Sequence, residues 1–139
     1  MSNFWRSWLD IWCYLVIIFG AVLCGAGIEG YEGVSDTLFR FLNLNTAPVF
    51  NEVERFSIGL MGAITMGWGL TLLYYIRMAH NNNNEGNRVW RQLAFVMLVW
   101  YVVDGYISYR TGFTLNIASN TILALGLLFP LWINRKLKR

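Results

Sequence analysis

The sequence predicts an all-α integral membrane protein, a four-helix bundle with a short interfacial helix in its first outer loop. Three observations carry that expectation. The 139-residue chain is 56% hydrophobic and only 14% charged, above the apolar share and below the charged share of a soluble domain. Four apolar runs hold the excess: Leu9 to Ile28, Phe56 to Ile76, Leu93 to Tyr109 and Phe113 to Ile133. Each approaches the roughly 20 residues that a helix needs to cross the hydrocarbon core. The second run has no charge between Ile58 and Ile76, whereas a soluble amphipathic helix would carry a polar stripe. One transmembrane domain spanning 1–139 is expected.

The first run is too long for an ordinary signal-peptide core and has Asp10 in its flank, so it reads as a spanning helix. Trp5, Trp8 and Trp12 near its start have the spacing of an aromatic anchor at headgroup level, joined there by Tyr74, Tyr75, Trp90 and Trp132. Cys13 and Cys24 are eleven residues apart in that helix, about 16 Å along its axis, too far for a disulfide. They read as small helix-filling residues, and no metal chemistry is implied.

The loop from Glu29 to Arg55 contains Ser35-Asp36-Thr37-Leu38-Phe39-Arg40-Phe41-Leu42. Ser35 reads as a cap, with Leu38, Phe41 and Leu42 on one face of a short helix lying in the interface, ended by Pro48. Asn51 and Glu54 have the spacing of a cap and its partner at the start of the second span. That span carries Gly59, Ala63 and Gly67 at four-residue intervals, and the first span offers Gly20 and Cys24. Such small-residue stripes let helix backbones approach closely. The pattern leaves open whether the partner is the chain's own first helix or a second subunit. The polar tether Asn81 to Asn87 follows, with His80 at its start read as a solvated side chain. Gly112 permits a tight turn after Thr111 and before the fourth span.

Lys and Arg placement orients the chain. With four spans, Arg6, Arg77, Arg88, Arg91, Arg135, Lys136, Lys138 and Arg139 share one side, and Arg40, Arg55 and Arg110 the other. Eight against three puts both termini in the cytoplasm of a bacterial-type inner membrane. The net charge of +3 describes a belt facing anionic lipid, not a nucleic-acid surface.

Asp104 interrupts the third apolar run, and an ionisable group there is costly unless partnered. Tyr101, Asp104 and Ser108 share a helix face by their spacing. Asn116 and Asn120 lie in the first turns of the fourth span; Glu29, Glu54, Arg55 and Arg110 sit at the same membrane level. These residues outline an outward-facing polar pocket. In one reading Asp104 pairs with Arg55 or Arg110 and accepts from Asn120, locking the helices. In a second it organises a ligand or ion site, and in a third it is a catalytic acid or base acting on a lipid-like substrate.

Several chemistries are excluded by residue type. No lysine lies in a spanning run, which removes a retinal Schiff base. The single histidine cannot axially hold haem within the bilayer, and no clustered Cys, His or carboxylate set points to zinc. There is no phosphate loop, no serine-nucleophile motif and no other catalytic set, so neither a cofactor nor a metal is expected.

Glu54-Arg55-Phe56-Ser57-Ile58-Gly59-Leu60, leading into a glycine-rich second helix, resembles the acid-Arg-aromatic start of that helix in the DoxX-like group of small four-helix bacterial membrane proteins. The four-span layout and long first outer loop are also similar. The resemblance implies no settled chemistry and carries over only Glu54 and Arg55, as structural or pocket residues. The leading expectation is a non-enzymatic accessory or assembly subunit in the lipid bilayer, packing against itself as a homo-oligomer or against a larger membrane complex. The alternative is a transport or small-ligand-binding protein organised by Asp104.

Overall fold

The computed structural model describes residues 1–31, 33–43, 50–81, 86–134 and 136–137. Glu32, Pro48, the tether residues 82–85, and Arg135, Lys138 and Arg139 lie outside the described residues. Among those described the chain is all-α, with no strand and five helices: α1 (Asn3–Ala26), α2 (Gly33–Leu42), α3 (Glu52–Asn81), α4 (Gly86–Thr111) and α5 (Thr114–Ile133). All except α2 are long and apolar enough to cross a membrane, which makes this a small multi-pass membrane protein. Two of the spanning helices, α3 and α4, overrun their apolar runs at both ends, whereas α5 keeps within its run. α3 has 30 residues, about 45 Å at 1.5 Å per residue against roughly 30 Å of hydrocarbon. Hydropathy detects only the part that matches lipid, whereas backbone hydrogen bonding continues into the polar flanks.

The helix ends follow local chemistry. Asn51 and Glu54 form a reciprocal capping box at the start of α3. The Asn51 N–H donates to Glu54 Oε2 at 2.9 Å, and the Glu54 N–H to Asn51 Oδ1 at 3.0 Å. At the end of α4, Gly112 has φ +84°, and the Phe113 N–H reaches back to Ser108 O at 2.9 Å while the Gly112 N–H points to Tyr109 O at 3.4 Å. This is a Schellman turn, which needs a residue that tolerates positive φ, and it folds α5 back on α4 after only two residues.

Contacts group the chain into two units, Tyr14–Leu70 and Met1–Cys13 with Thr71–Arg139. In the first, α1 and α3 meet backbone to backbone. A Cβ at Gly62 would run into the Cys24 N and, at 2.6 Å, into Gly20 O; one at Gly20 would lie 2.7 Å from Met66 N. Gly27 and Gly59 face each other, and the Cys24 thiol donates to Gly59 O at 3.6 Å. The first helix is therefore the partner of this face. The face itself is rotated from the one read in the sequence: Gly59, Gly62 and Gly69 make the close approach, while Ala63 is exposed and a Cβ at Gly67 would meet nothing within 4 Å. Two helices crossing at a slant use three- as well as four-residue steps, so a strict four-residue stripe drifts off the seam.

The short helix α2 is present, but Ser35 lies inside it instead of capping it. Ser35 is fully buried and donates to Val22 O of α1 at 2.8 Å. That hydrogen bond turns Ser35 and Leu42 inward, leaving Phe41, expected on the apolar face, 60% exposed.

In the second unit the fully buried large side chains are Leu9, Ile76, Trp90, Met97, Leu127 and Leu131. Asp10 and Arg77 form an ion pair at 3.0 Å. His80 is not in the tether but in the last turn of α3. It is half-buried, with its ring 5.0 Å from that of Trp90 and Nε2 3.1 Å from Met1 Sδ.

Two of the three expected anchor tryptophans also hold α5. Pro130 sits within that helix, so the Gly126 carbonyl loses the N–H that residue 130 would otherwise supply. The Trp8 indole N–H fills the vacancy, donating to Gly126 O at 2.9 Å. Trp12 donates to Leu123 O at 3.0 Å and lies where a Gly126 side chain would project, 2.7 Å from an added Cβ. In lipid no water can substitute for these donors.

Two outcomes follow from this packing. Trp8→Phe should lower the free energy of unfolding in a mixed-detergent SDS titration by about 1 kcal/mol. In a Pro130→Ala background, where a backbone N–H serves Gly126 O, the same substitution should be nearly silent. By the same measurement Gly62→Ala should cost about 1–3 kcal/mol through overpacking, whereas Gly67→Ala should be neutral or stabilise by up to about 1 kcal/mol through helix propensity.

Candidate functional site

The α4–α5 hairpin brings Asp104 into a polar ladder. Helices folded about the tight turn at Gly112 run antiparallel, so residues roughly equidistant from the turn face one another. Ser108, four residues after Asp104, donates to Asp104 Oδ1 at 3.1 Å. Asn116, from the first turn of α5, donates through Nδ2 to Asp104 Oδ1 at 2.9 Å and to Ser108 Oγ at 2.8 Å. Asn120, one turn further on, also donates to Asp104 Oδ1. Deeper along the hairpin the Tyr101 and Thr121 hydroxyls meet at 2.9 Å, and Thr121 donates to Ile117 O. Ser108 and Asn120 are buried; Asp104, Tyr101 and Asn116 are half-buried.

The structure thus gathers Tyr101, Asp104, Ser108, Asn116 and Asn120 along one seam. Among the described residues of its own unit, Asp104 accepts hydrogen bonds from neutral groups and none from Arg110. Arg110 is exposed near the end of α4, Glu29 is exposed in the turn after α1, and Glu54 is occupied by its capping box at the start of α3. Thr121 was missed by the sequence reading, although its signal was available: it lies opposite Tyr101 once the hairpin is folded about Gly112.

The hydrogen bonds to Asp104 are one-sided. All three donors converge on Oδ1, and Oδ2 accepts none from the described residues of the same unit. Asp104 also borders a groove of about 450 Å³ along the outside of α4, lined by Phe95, Val96, Val99, Trp100, Val103 and Ile107. Groove and ladder share this one carboxylate. Helical spacing places the ladder residues on one face of α4 but does not single out the groove, because only packing tells which side α5 covers.

Among the described residues no three of His, Cys, Asp and Glu are grouped closely enough to hold a metal ion. Both cysteines are free, Cys13 buried and Cys24 half-buried. No family model, curated protein or solved structure matches the chain.

Removing one donor should expose the strength of the ladder. Asn120→Ala is expected to destabilise the protein by about 1–3 kcal/mol, since it strips a hydrogen bond from a half-buried carboxylate. Ser119→Ala, one position earlier and exposed, should stay within about 0.5 kcal/mol. Parallel SDS-unfolding curves separate the two.

Proposed function

We propose that this protein is a non-enzymatic accessory subunit of the membrane, which docks a transmembrane helix of another protein along the groove face of α4. The observation that carries this reading is the spacing of the groove. Val96, Trp100, Val103 and Ile107 recur at intervals of four, three and four residues, the pattern that keeps one seam facing a second helix in left-handed packing. Val96, Val99, Val103 and Ile107 are β-branched, so little rotamer freedom is lost when they are covered. The groove is open along the helix instead of closing into a pocket, and its apolar side chains Phe95, Val96, Val99, Val103 and Ile107 are 47–67% exposed, which suits a long partner better than a compact substrate. The Lys and Arg distribution supports an inner membrane location with both termini cytoplasmic; in that orientation the Gly112 turn faces outward.

A photoreactive benzoylphenylalanine placed at Val103, irradiated in native membranes, is expected to yield one discrete adduct heavier than two copies of the chain. The same probe at Ile122, on the exposed surface of α5, should yield none. An adduct of twice the chain mass would replace the accessory role with self-assembly. Equal, diffuse labelling from both positions would show that the groove face meets only lipid.

A further inference from the structure

The chemistry of the partner can be read from the unsatisfied half of Asp104. We propose that the docked helix carries a basic side chain, best an arginine, that completes Asp104 through Oδ2. This rests on the reading of the α4 groove as a helix-docking seam and adds the residue that gives the seam its specificity.

Three features of the carboxylate lead there. Its neutral donors all occupy Oδ1, so the network fixes the side chain's rotamer without supplying a positive charge. The remaining oxygen belongs to a residue that borders the groove. Taking Val96, Trp100, Val103 and Ile107 as the seam, Asp104 falls beside Val103 at the flanking position, where paired helices place interhelical ion pairs. Trp100 is one turn away on the same side of α4 and lines the same groove. Of the basic side chains, arginine keeps its charge when desolvated and presents its N–H groups in a planar fork suited to a carboxylate.

Other occupants fit less well. In a parallel pairing with a second copy of this chain, the flanking Asp104 would meet Val99 of the other seam, and α4 carries no basic residue between Arg91 and Arg110 to answer it. Two carboxylates would then enter the interface without a cation. An amine-headed lipid carries its charge at the membrane surface, but Asp104 lies five residues before Tyr109, about 7–8 Å below the end of the apolar run. A long basic side chain rooted in a neighbouring helix bridges that depth with its own apolar stem.

The test uses synthetic transmembrane helices of about 25 Leu and Ala residues, with Arg, Gln or Leu at one position in the outer third. Fluorescence energy transfer from the labelled full-length protein to each helix is measured in phosphatidylcholine vesicles. The Arg helix is expected to bind about tenfold tighter than the Leu helix, a difference of about 1.4 kcal/mol, with the Gln helix between them. Asp104→Asn should bring the Arg helix down to the Leu value, and Asp104→Glu, which keeps the charge, should retain most of the advantage. Equal binding of the Arg and Leu helices, or an advantage that survives Asp104→Asn, overturns the charge pairing and leaves the seam standing. If no helix binds, the docking reading falls with it. Loss of Arg-helix binding when phosphatidylethanolamine replaces phosphatidylcholine would assign the carboxylate to an amine lipid. Energy transfer between two labelled copies that requires Asp104 would assign it to a second subunit. Either result overturns the proposal.

Discussion

Inside a bilayer no water completes a hydrogen bond, so every polar atom in a spanning helix must be met by the protein itself. The packing of this chain follows that constraint more closely than it follows hydrophobicity, since lipid tails are as apolar as the side chains they touch. The clearest case is Pro130. By removing one backbone N–H it frees the Gly126 carbonyl, and the Trp8 indole crosses from α1 to satisfy it. Ser35 answers in the same way to Val22 O, and in doing so fixes which side of α2 faces α1. The tryptophans near the start of α1 thereby serve as donors between helices, beyond any anchoring at the membrane surface.

Where no polar group needs serving, approach distance decides. Gly20, Gly27, Gly59 and Gly62 let α1 and α3 come together with almost no side chain between them, so that a single methyl at Gly62 would collide with Cys24. Cys24 fits this seam as a small residue whose thiol has a backbone acceptor in Gly59 O. Close packing of this kind relies on dispersion between facing backbones, which is felt only when the fit is tight.

Asp104 is where the two rules meet. The Gly112 turn sets α5 against α4, and the antiparallel hairpin then delivers Ser108, Asn116 and Asn120 to one carboxylate oxygen. Those donors satisfy half of the group and orient it. The other half borders an apolar groove with coiled-coil spacing, which is why a helix with a complementary charge is the partner the geometry favours.

Much of the architecture was legible in the sequence. Apolar run length predicted four spanning helices, because the thickness of a bilayer translates directly into residue number. The spacing of Asn51 and Glu54 predicted the start of α3, and Gly112 the turn, because caps and positive-φ turns are local chemistry. Tyr101, Asp104 and Ser108 could be placed on one face by helical periodicity alone. Only the tertiary structure decided what each face meets: that Gly62 rather than Ala63 or Gly67 lines the α1–α3 seam, that Trp8 serves a carbonyl orphaned by Pro130, and that Asp104 gathers three neutral donors on a single oxygen. Periodicity states which residues share a face, but crossing angle and rotation about the helix axis are set by packing between distant segments, and those do not appear in the spacing of either segment by itself.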